Sequence, residues 1–384
     1  MPRESFLVFG APLIAEEEID EVIATLKSGW LGTGPRVRVF EQAFSAYKQA
    51  PHAVAVSSCT AALQLSMKAA NLKPGDEVIT TAMTFCATVN AIIHSGATPV
   101  LADIDPMTMN IDPAEVERRI GPRTRALVPV HMAGRPCEMD ALIEIAKRHG
   151  LSVIEDCAHA IETEYHGQKA GTLGDFGCFS FYVTKNITTA EGGLVLAREQ
   201  AHADRIKRLA LHGLSADAWR RFSDAGYKHY LVEEAGFKCN MTDLQAAIGL
   251  KQLKKIEPFW QRRQAIWNCY EAAFADLPVG RPAAPAANTR HGLHLYTLRI
   301  DKAQSGISRD HFIERMTARK IGVGVHYLAI PEHPYYQQTF GWKPEDYPHA
   351  MRLGRETVSL PLSAKLSDGD VDDVVAAVRR ALAD

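Results

Sequence analysis

LSVIEDCAHA, residues 151–160, is a mostly apolar run that ends on two acids, Glu155 and Asp156, before breaking into small residues and His159. It reads as a buried strand with the charge at its carboxyl end, the edge of an open α/β sheet where ligands bind. Working outward, apolar runs of strand length recur as AVAVS at 53–57, EVITT at 77–81, TPVLADI at 98–104 and RALVPV at 125–130. Segments of helical period separate them, starting near Thr60, near Phe85, at Asp112 and at Glu138, each preceded or opened by capping or small residues. This rhythm predicts βαβ units and a mainly parallel sheet. CFSFY at 178–182 and LVLA at 194–197, joined across Gly192 and Gly193, read as the last strands of that sheet, a hairpin-like pair.

From about residue 200 to 250 the chain is helical and polar, with a loop around Gly226 to Gly236 that reaches outward. Pro258 opens a long amphipathic helix over roughly 258–276, and RPAAPAAN at 281–288 has the composition of a loop. A smaller α+β unit follows: the strand HLYTLRI at 294–300, a helix at 309–318, a short strand around Gly324 to Tyr327 and a terminal helix. Ser367 and Asp370 are spaced like a capping box at the start of that last helix. A chain of 384 residues is too long for one small core. The division read from it is a large domain over 1–252, with an amino-terminal arm, and a small carboxyl-terminal domain over 253–384.

Composition narrows the function. A formal net charge of -2, with Lys and Arg scattered, supplies no basic field for gripping a polyphosphate backbone, so nucleic acid is not an expected partner. No run approaches the roughly 18 apolar residues of a membrane span. The start, MPRESFLVFGAP, lacks a basic region followed by an apolar signal core, so the expected location is the cytoplasm. The seven cysteines are odd in number and form no C-x-x-C pair, which suits reduced thiols. The histidines form neither H-x-x-x-H nor H-E-x-x-H, and no metal is expected.

A carboxylate at the edge of the sheet needs a partner, and a protonated pyridine nitrogen is one. Lys185, in FSFYVTKNITTAEGG at 179–193, lies 29 residues after Asp156 in a second loop leaving a strand, and a lysine placed there can hold an aldehyde. Together the two charges suit pyridoxal phosphate (PLP). VAVSSCTAAL at 54–63 is a strand, a turn and a helix start, where the amides of Cys59, Thr60 and Ala61 and the hydroxyls of Ser58 and Thr60 suit a phosphate. Read alone, the same residues are a helix N-cap. Phe85, in ITTAMTFCATVNAI at 79–92, offers a flat ring to cover a flat cofactor, and Ser180 a hydroxyl toward the phosphate. Each has a plain structural reading, but they fall in the order that one site requires.

GWLGTGPRVRVFE, VSSCTAAL, PGDEVITTAMTF, VIEDCAHA, GDFGCFSFYVTKNITTAEGG, GFKCNMTDLQAAIGLKQL and SLPL all resemble the sugar aminotransferases of the DegT/DnrJ/EryC1/StrS family, from about Gly10 to the end of the chain. The resemblance implies a fold type I PLP-dependent transferase: a large α/β domain with a mainly parallel mixed sheet and a smaller α+β carboxyl-terminal domain, active as a homodimer with shared sites. It implies that Lys185 holds the cofactor, Asp156 pairs with the pyridine nitrogen, His159 lies by the ring or its hydroxyl and Phe85 stacks. Ser58, Cys59, Thr60 and Ser180 gather around the phosphate. Asn240 matches a position that reaches into the partner's site, with Lys238 beside it. Trp30 and Leu31 match a segment near substrate, and His326 and Tyr327, in GVHYLAIPEHPYY, a loop at the mouth of the site. One departure is Cys59, where the family usually has glycine, and its thiol is expected to narrow the phosphate pocket.

The activity implied is a ping-pong transfer between PLP and its amine form (PMP), with L-glutamate as donor and the C4 ketone of a nucleotide-linked sugar as acceptor. HGLSADAWRR at 212–221 and GFKCNMTD resemble branches acting on 4-keto sugars. Rival readings are a 3-keto sugar or keto-cyclitol aminotransferase and a non-catalytic PLP-binding regulatory protein. Intact Lys185 argues against dehydration and against silence.

Overall fold

The computed structural model of the chain describes residues 3–215 and 229–383, so the first part of the Gly226–Gly236 loop and most of HGLSADAWRR lie outside the described residues. Its strands are β1 His52–Val56, β2 Glu77–Thr81, β3 Thr98–Ala102, β4 Thr124–Val128, β5 Ser152–Asp156, β6 Glu164–Tyr165, β7 Gln168–Lys169, β8 Phe176–Ser180, β9 Gly193–Ala197, β10 Thr289–Arg290, β11 Tyr296–Arg299 and β12 Thr357–Leu360. Seven of them form one sheet in the order β1-β9-β8-β5-β4-β2-β3. Only β9 runs against the rest, antiparallel to both β1 and β8. The paired last strands expected from CFSFY and LVLA are therefore present, with β9 inserted beside β1.

Period-2 alternation explains how this sheet is buried on both faces. Val54 and Val56 of β1 join Val195 and Ala197 of β9 in one apolar cluster with helix residues Leu63, Leu65, Ile206 and Leu209. Their neighbours Ala53, Ala55, Leu194 and Leu196 point the other way, onto Phe40 and Phe44. The covering helices are α1 Glu16–Ser28, α2 Pro35–Lys48, α3 Cys59–Ala69, α4 Cys86–Ser95, α5 Pro113–Arg119, α6 Met139–His149, α7 Gln200–Ala210, α8 Asp243–Leu253 and α9 Ile256–Ala273. Ser58, Phe85, Asp112 and Glu138 are the N-cap positions of α3 to α6, as their sequences suggest.

The smaller α+β unit is built on the antiparallel pair β11–β12. Trp267 and Tyr270 of α9 and Phe274 just after it pack there with Tyr296, Leu298, Phe312, Val358 and Leu360. The terminal helix Asp368–Ala383 starts at the expected box, the Asp370 amide donating to Ser367 Oγ at 3.1 Å and the Ser367 amide to Asp370 at 2.9 Å. Two expectations need correction. Helix α9 begins at Ile256, so Pro258 lies inside its first turn, where a missing amide costs no helical hydrogen bond. No strand forms at 324–327; Gly324 makes one isolated bridge to Ser359 before the chain turns away.

That turn positions the site. Residues beyond it, Ala329, Ile330, Tyr336, Tyr347 and Leu353, pack back onto Met83 after β2, Val89 of α4 and Leu101 of β3. Asp103 anchors them by accepting from the amides of His349 and Ala350 at 3.0 and 2.9 Å. His326 and Tyr327 are thus carried across the carboxyl edge of the sheet. The amino-terminal arm closes the other side: the Leu7 amide donates to the Lys320 carbonyl, and the Gly322 amide to that of Leu7.

Candidate active site

Asp156 ends the central strand β5 with its backbone locked, its amide donating to Pro129 and its carbonyl accepting from His131. Asp156 is 4% exposed. Oδ2 accepts from Thr88 Oγ1 at 2.8 Å, and Oδ1 from the Ala158 amide at 3.1 Å. Burial pushes its pKa up, while those two donors and the Lys185 charge pull against it. Glu155, the preceding residue, faces the opposite way and is fully used. Its oxygens accept from His131 Nε2 and from the amides of Gly171, Leu173 and Gly174. His131, Glu155 and Cys157 lie close enough to share a metal, but these four donors already occupy the carboxylate.

Lys185 rises from the loop between β8 and β9. Burial lowers its amine to about 8, with Cys59 and Asp156 opposing. Facing it is the turn between β1 and α3. Ser58 caps the helix by accepting from the Ala61 amide at 3.1 Å. That amide is therefore not free for a ligand, contrary to expectation. The amides of Cys59 and Thr60 have no acceptor among the described residues and lie at the positive end of α3. Gly193, paired with Val56 on one side and Ser180 on the other, backs this turn so closely that a Cβ there would lie 2.3 Å from the Ser58 carbonyl carbon. The Cys59 thiol is turned toward Asp156 Oδ1 at 4.0 Å, and burial raises its pKa. It points along the floor of the pocket toward that carboxylate.

These groups surround one cavity of about 410 Å³, a size that suits a cofactor-sized ligand. Of the residues singled out in the sequence, Ser58, Cys59, Thr60, Phe85, Asp156, His159, Ser180, Lys185, His326 and Tyr327 all line it. Phe85 is 56% exposed with its ring 5.6 Å from that of Tyr327. His159 Nδ1 accepts from the Ala133 amide at 3.3 Å, and its Nε2 lies 3.0 Å from Tyr327 Oη. Burial keeps His159 well below the usual histidine range, with Lys185, His294 and His326 adding to the effect. His326 is lowered to about 4 by burial and by Lys185. Ser180 Oγ accepts from the Tyr182 amide at 3.3 Å.

Trp30, Leu31, Lys238 and Asn240 are not in this cavity. Trp30 and Asn240 share a separate surface groove, where Asn240 Nδ2 donates to Thr33 Oγ1 at 2.7 Å. Asn240 bridges to Val56, on the far side of the strand that leads to the phosphate turn. The sequence reading passed over Phe9, Thr84, Thr88, Tyr182 and His294, which also line the cavity. Thr88 lies in the first turn of α4, three residues after Phe85, and its partner Asp156 is 68 positions away, so no local spacing marks it.

The residues fit PLP: two unpaired amides at a helix start for its phosphate, a carboxylate for its pyridine nitrogen and an amine for its aldehyde. Fold and site together define a PLP-dependent aminotransferase. The chain belongs to the DegT/DnrJ/EryC1/StrS aminotransferase family, which it matches over residues 12–379. It is 49% identical over 378 residues to the spore coat polysaccharide biosynthesis protein SpsC of Bacillus subtilis, covering 98% of this chain and 97% of that one. Among solved structures it is similar to Spr1654 of Streptococcus pneumoniae in its PMP form, with a TM-score of 0.92 and 34% identity over 98% of this chain and 99% of that one. It is also similar to DesI solved in the presence of its TDP-sugar product, with a TM-score of 0.88 and 33% identity over 99% and 93%. The protein is a sugar aminotransferase of this family. No helix among the described residues is long and apolar enough to cross a membrane.

Proposed function

We propose that the protein moves the amino group of L-glutamate to the C4 ketone of a nucleotide-linked deoxysugar, as a cytoplasmic homodimer serving amino-sugar and surface polysaccharide biosynthesis. The observation that carries the reading is one cavity holding Lys185, Asp156 and the open amides of Cys59 and Thr60. When bound, PLP supplies an electron sink through its protonated pyridine nitrogen. Asp156 keeps a proton on that nitrogen, and Thr88 and Ala158 aim its carboxylate. Lys185 Nζ anchors the aldehyde and, once released, moves a proton to and from the carbon bearing the transferred nitrogen, a task suited to an amine near pKa 8. The Cys59 and Thr60 amides and the Ser58 hydroxyl hold the phosphate, Phe85 covers the ring and His159 lies beside it. DesI's TDP-sugar product and SpsC's polysaccharide role support a nucleotide-linked acceptor.

The test is to incubate purified protein with PLP, glutamate and the dTDP-, UDP- and GDP-linked 4-keto-6-deoxyhexoses in turn. One of the three should yield an aminated sugar nucleotide and 2-oxoglutarate in equal amounts. Turnover only with a 3-keto sugar would instead establish the rival regiochemistry. Lys185→Ala should remove turnover altogether, and a variant that keeps full activity would refute the assignment of that residue.

A further inference from the structure

We propose that His294 is a specificity residue that accepts a hydrogen bond from a hydroxyl of the sugar substrate, held in that role by the buried chain of polar groups Arg263, Glu162 and Asn186. The proposal rests on the cavity being the cofactor and sugar site.

Each link fixes the next by its chemistry. Arg263, on α9, has only donors and pairs with Glu162 Oε1, and both side chains are at most 2% exposed. Asn186, the residue after Lys185, spends its two amide hydrogens on Glu162 Oε2 at 2.7 Å and on the Gly292 carbonyl at 2.8 Å. Both partners accept, so turning the amide round would set its oxygen against two other oxygens. Asn186 Oδ1 therefore faces His294 Nδ1 at 2.9 Å, and Nδ1 must carry the proton. That leaves His294 Nε2 as a bare lone pair with no partner among the described residues. The ring lines the cavity 4.4 Å from the ring of His159, and Nε2 is not sealed from open space. Burial, reinforced by Lys185, holds His294 well below 6.5, so it remains an acceptor at working pH.

His159 is set in the opposite sense. Its Nδ1 accepts from Ala133, so its Nε2 bears the proton and donates to Tyr327 Oη, whose own proton is left to donate. His294 Nε2 therefore offers an acceptor and Tyr327 Oη a donor to the same cavity, and a sugar hydroxyl can partner either one, giving its proton to the first or its oxygen to the second. A carboxylate only accepts and would meet a lone pair at His294. The carboxylates of the amino donor therefore gain nothing there, and the contact discriminates for the sugar.

His294→Phe keeps a ring against His159 and removes the lone pair, and His294→Gln restores an acceptor. Calorimetry on PMP-loaded protein, using unreactive dTDP-, UDP- and GDP-linked 6-deoxyhexoses, reads sugar binding, and stopped flow reads the glutamate half-reaction. The expected result is sugar binding weakened on the order of tenfold in His294→Phe and at most about threefold in His294→Gln, with the glutamate half-reaction within about twofold of wild type. Sugar binding unchanged in His294→Phe, equally weak in both variants, or lost together with the glutamate half-reaction overturns the proposal. Wild-type protein that binds none of the three probes overturns the sugar reading itself. A readout that needs no variant is the nitrogen-15 spectrum of His294 in the wild-type protein: a proton on Nε2 rather than Nδ1 also overturns it.

Discussion

Lys185 and Asp156 share a pocket in which burial penalises both of their charges. For the lysine this lowers the folded-state pKa from 10.5 to about 8. The reactive neutral amine is therefore the minor form below about 8 and the major form above it. The rate at which cofactor-free protein captures PLP should accordingly rise with pH and level off just above 8; a midpoint near 10.5 in stopped-flow absorbance would contradict the site described. Asp156 shifts the other way, upward, and the Thr88 hydroxyl is one of the donors that restrain the rise. Thr88→Val removes that donor at nearly constant volume. Its pH–activity profile should lose the acid side at a higher pH than wild type, and an unmoved acid limb would leave Thr88 without the aiming role. Asp156 and Lys185 were legible because a charge at the end of an apolar strand is conspicuous. Thr88, Asn186 and His294 were not, since their chemistry lies in partners 68, 24 and 108 positions away.

At the scale of elements, the turn from β1 into α3 is shaped by its neighbour β9. A Cβ at Gly193 would meet the backbone of Ser58 at 2.3 Å and the Cys59 nitrogen at 2.6 Å, and backbone cannot move aside as a side-chain tip can. Gly193→Ala should therefore cost about 1–3 kcal/mol in urea unfolding and weaken PLP binding at least about tenfold by displacing the two phosphate amides. Wild-type cofactor affinity in that variant would show that the close approach is not what sets the turn. The strands of the sheet were readable because each apolar run is buried on both faces. The stretch at 324–327 misled because an extended segment with one bridge has the composition of a strand without its ladder. Likewise the Ala61 amide, offered to the phosphate by spacing alone, is taken by the side chain that caps the same helix.

For the whole molecule, the groove holding Trp30 and Asn240 is separate from the cavity of the same chain. The proposed homodimer gives that separation a purpose, Asn240 of each subunit completing the other's site. Mixing inactive Lys185→Ala and Asn240→Ala subunits then regenerates one intact site in each mixed dimer, for about a quarter of wild-type activity under two-fold symmetry and random exchange. Mixtures no more active than their separate components would show that Asn240 does not complete the partner's site.

The order of apolar runs pointed to an α/β sheet, the acid at the end of β5 and the lysine after β8 to a PLP site, and the resemblance of the longer motif stretches to the family, because all of these features are local to short segments. Tertiary structure alone decided which residues meet across the pocket. The return of 329–353 onto the sheet carries Tyr327 to His159. The packing of α9 against the Lys185 loop sets the direction of every proton from Arg263 to His294. A hydrogen bond between residues a hundred positions apart leaves no period in the chain, so its direction exists only once the fold has brought both partners together.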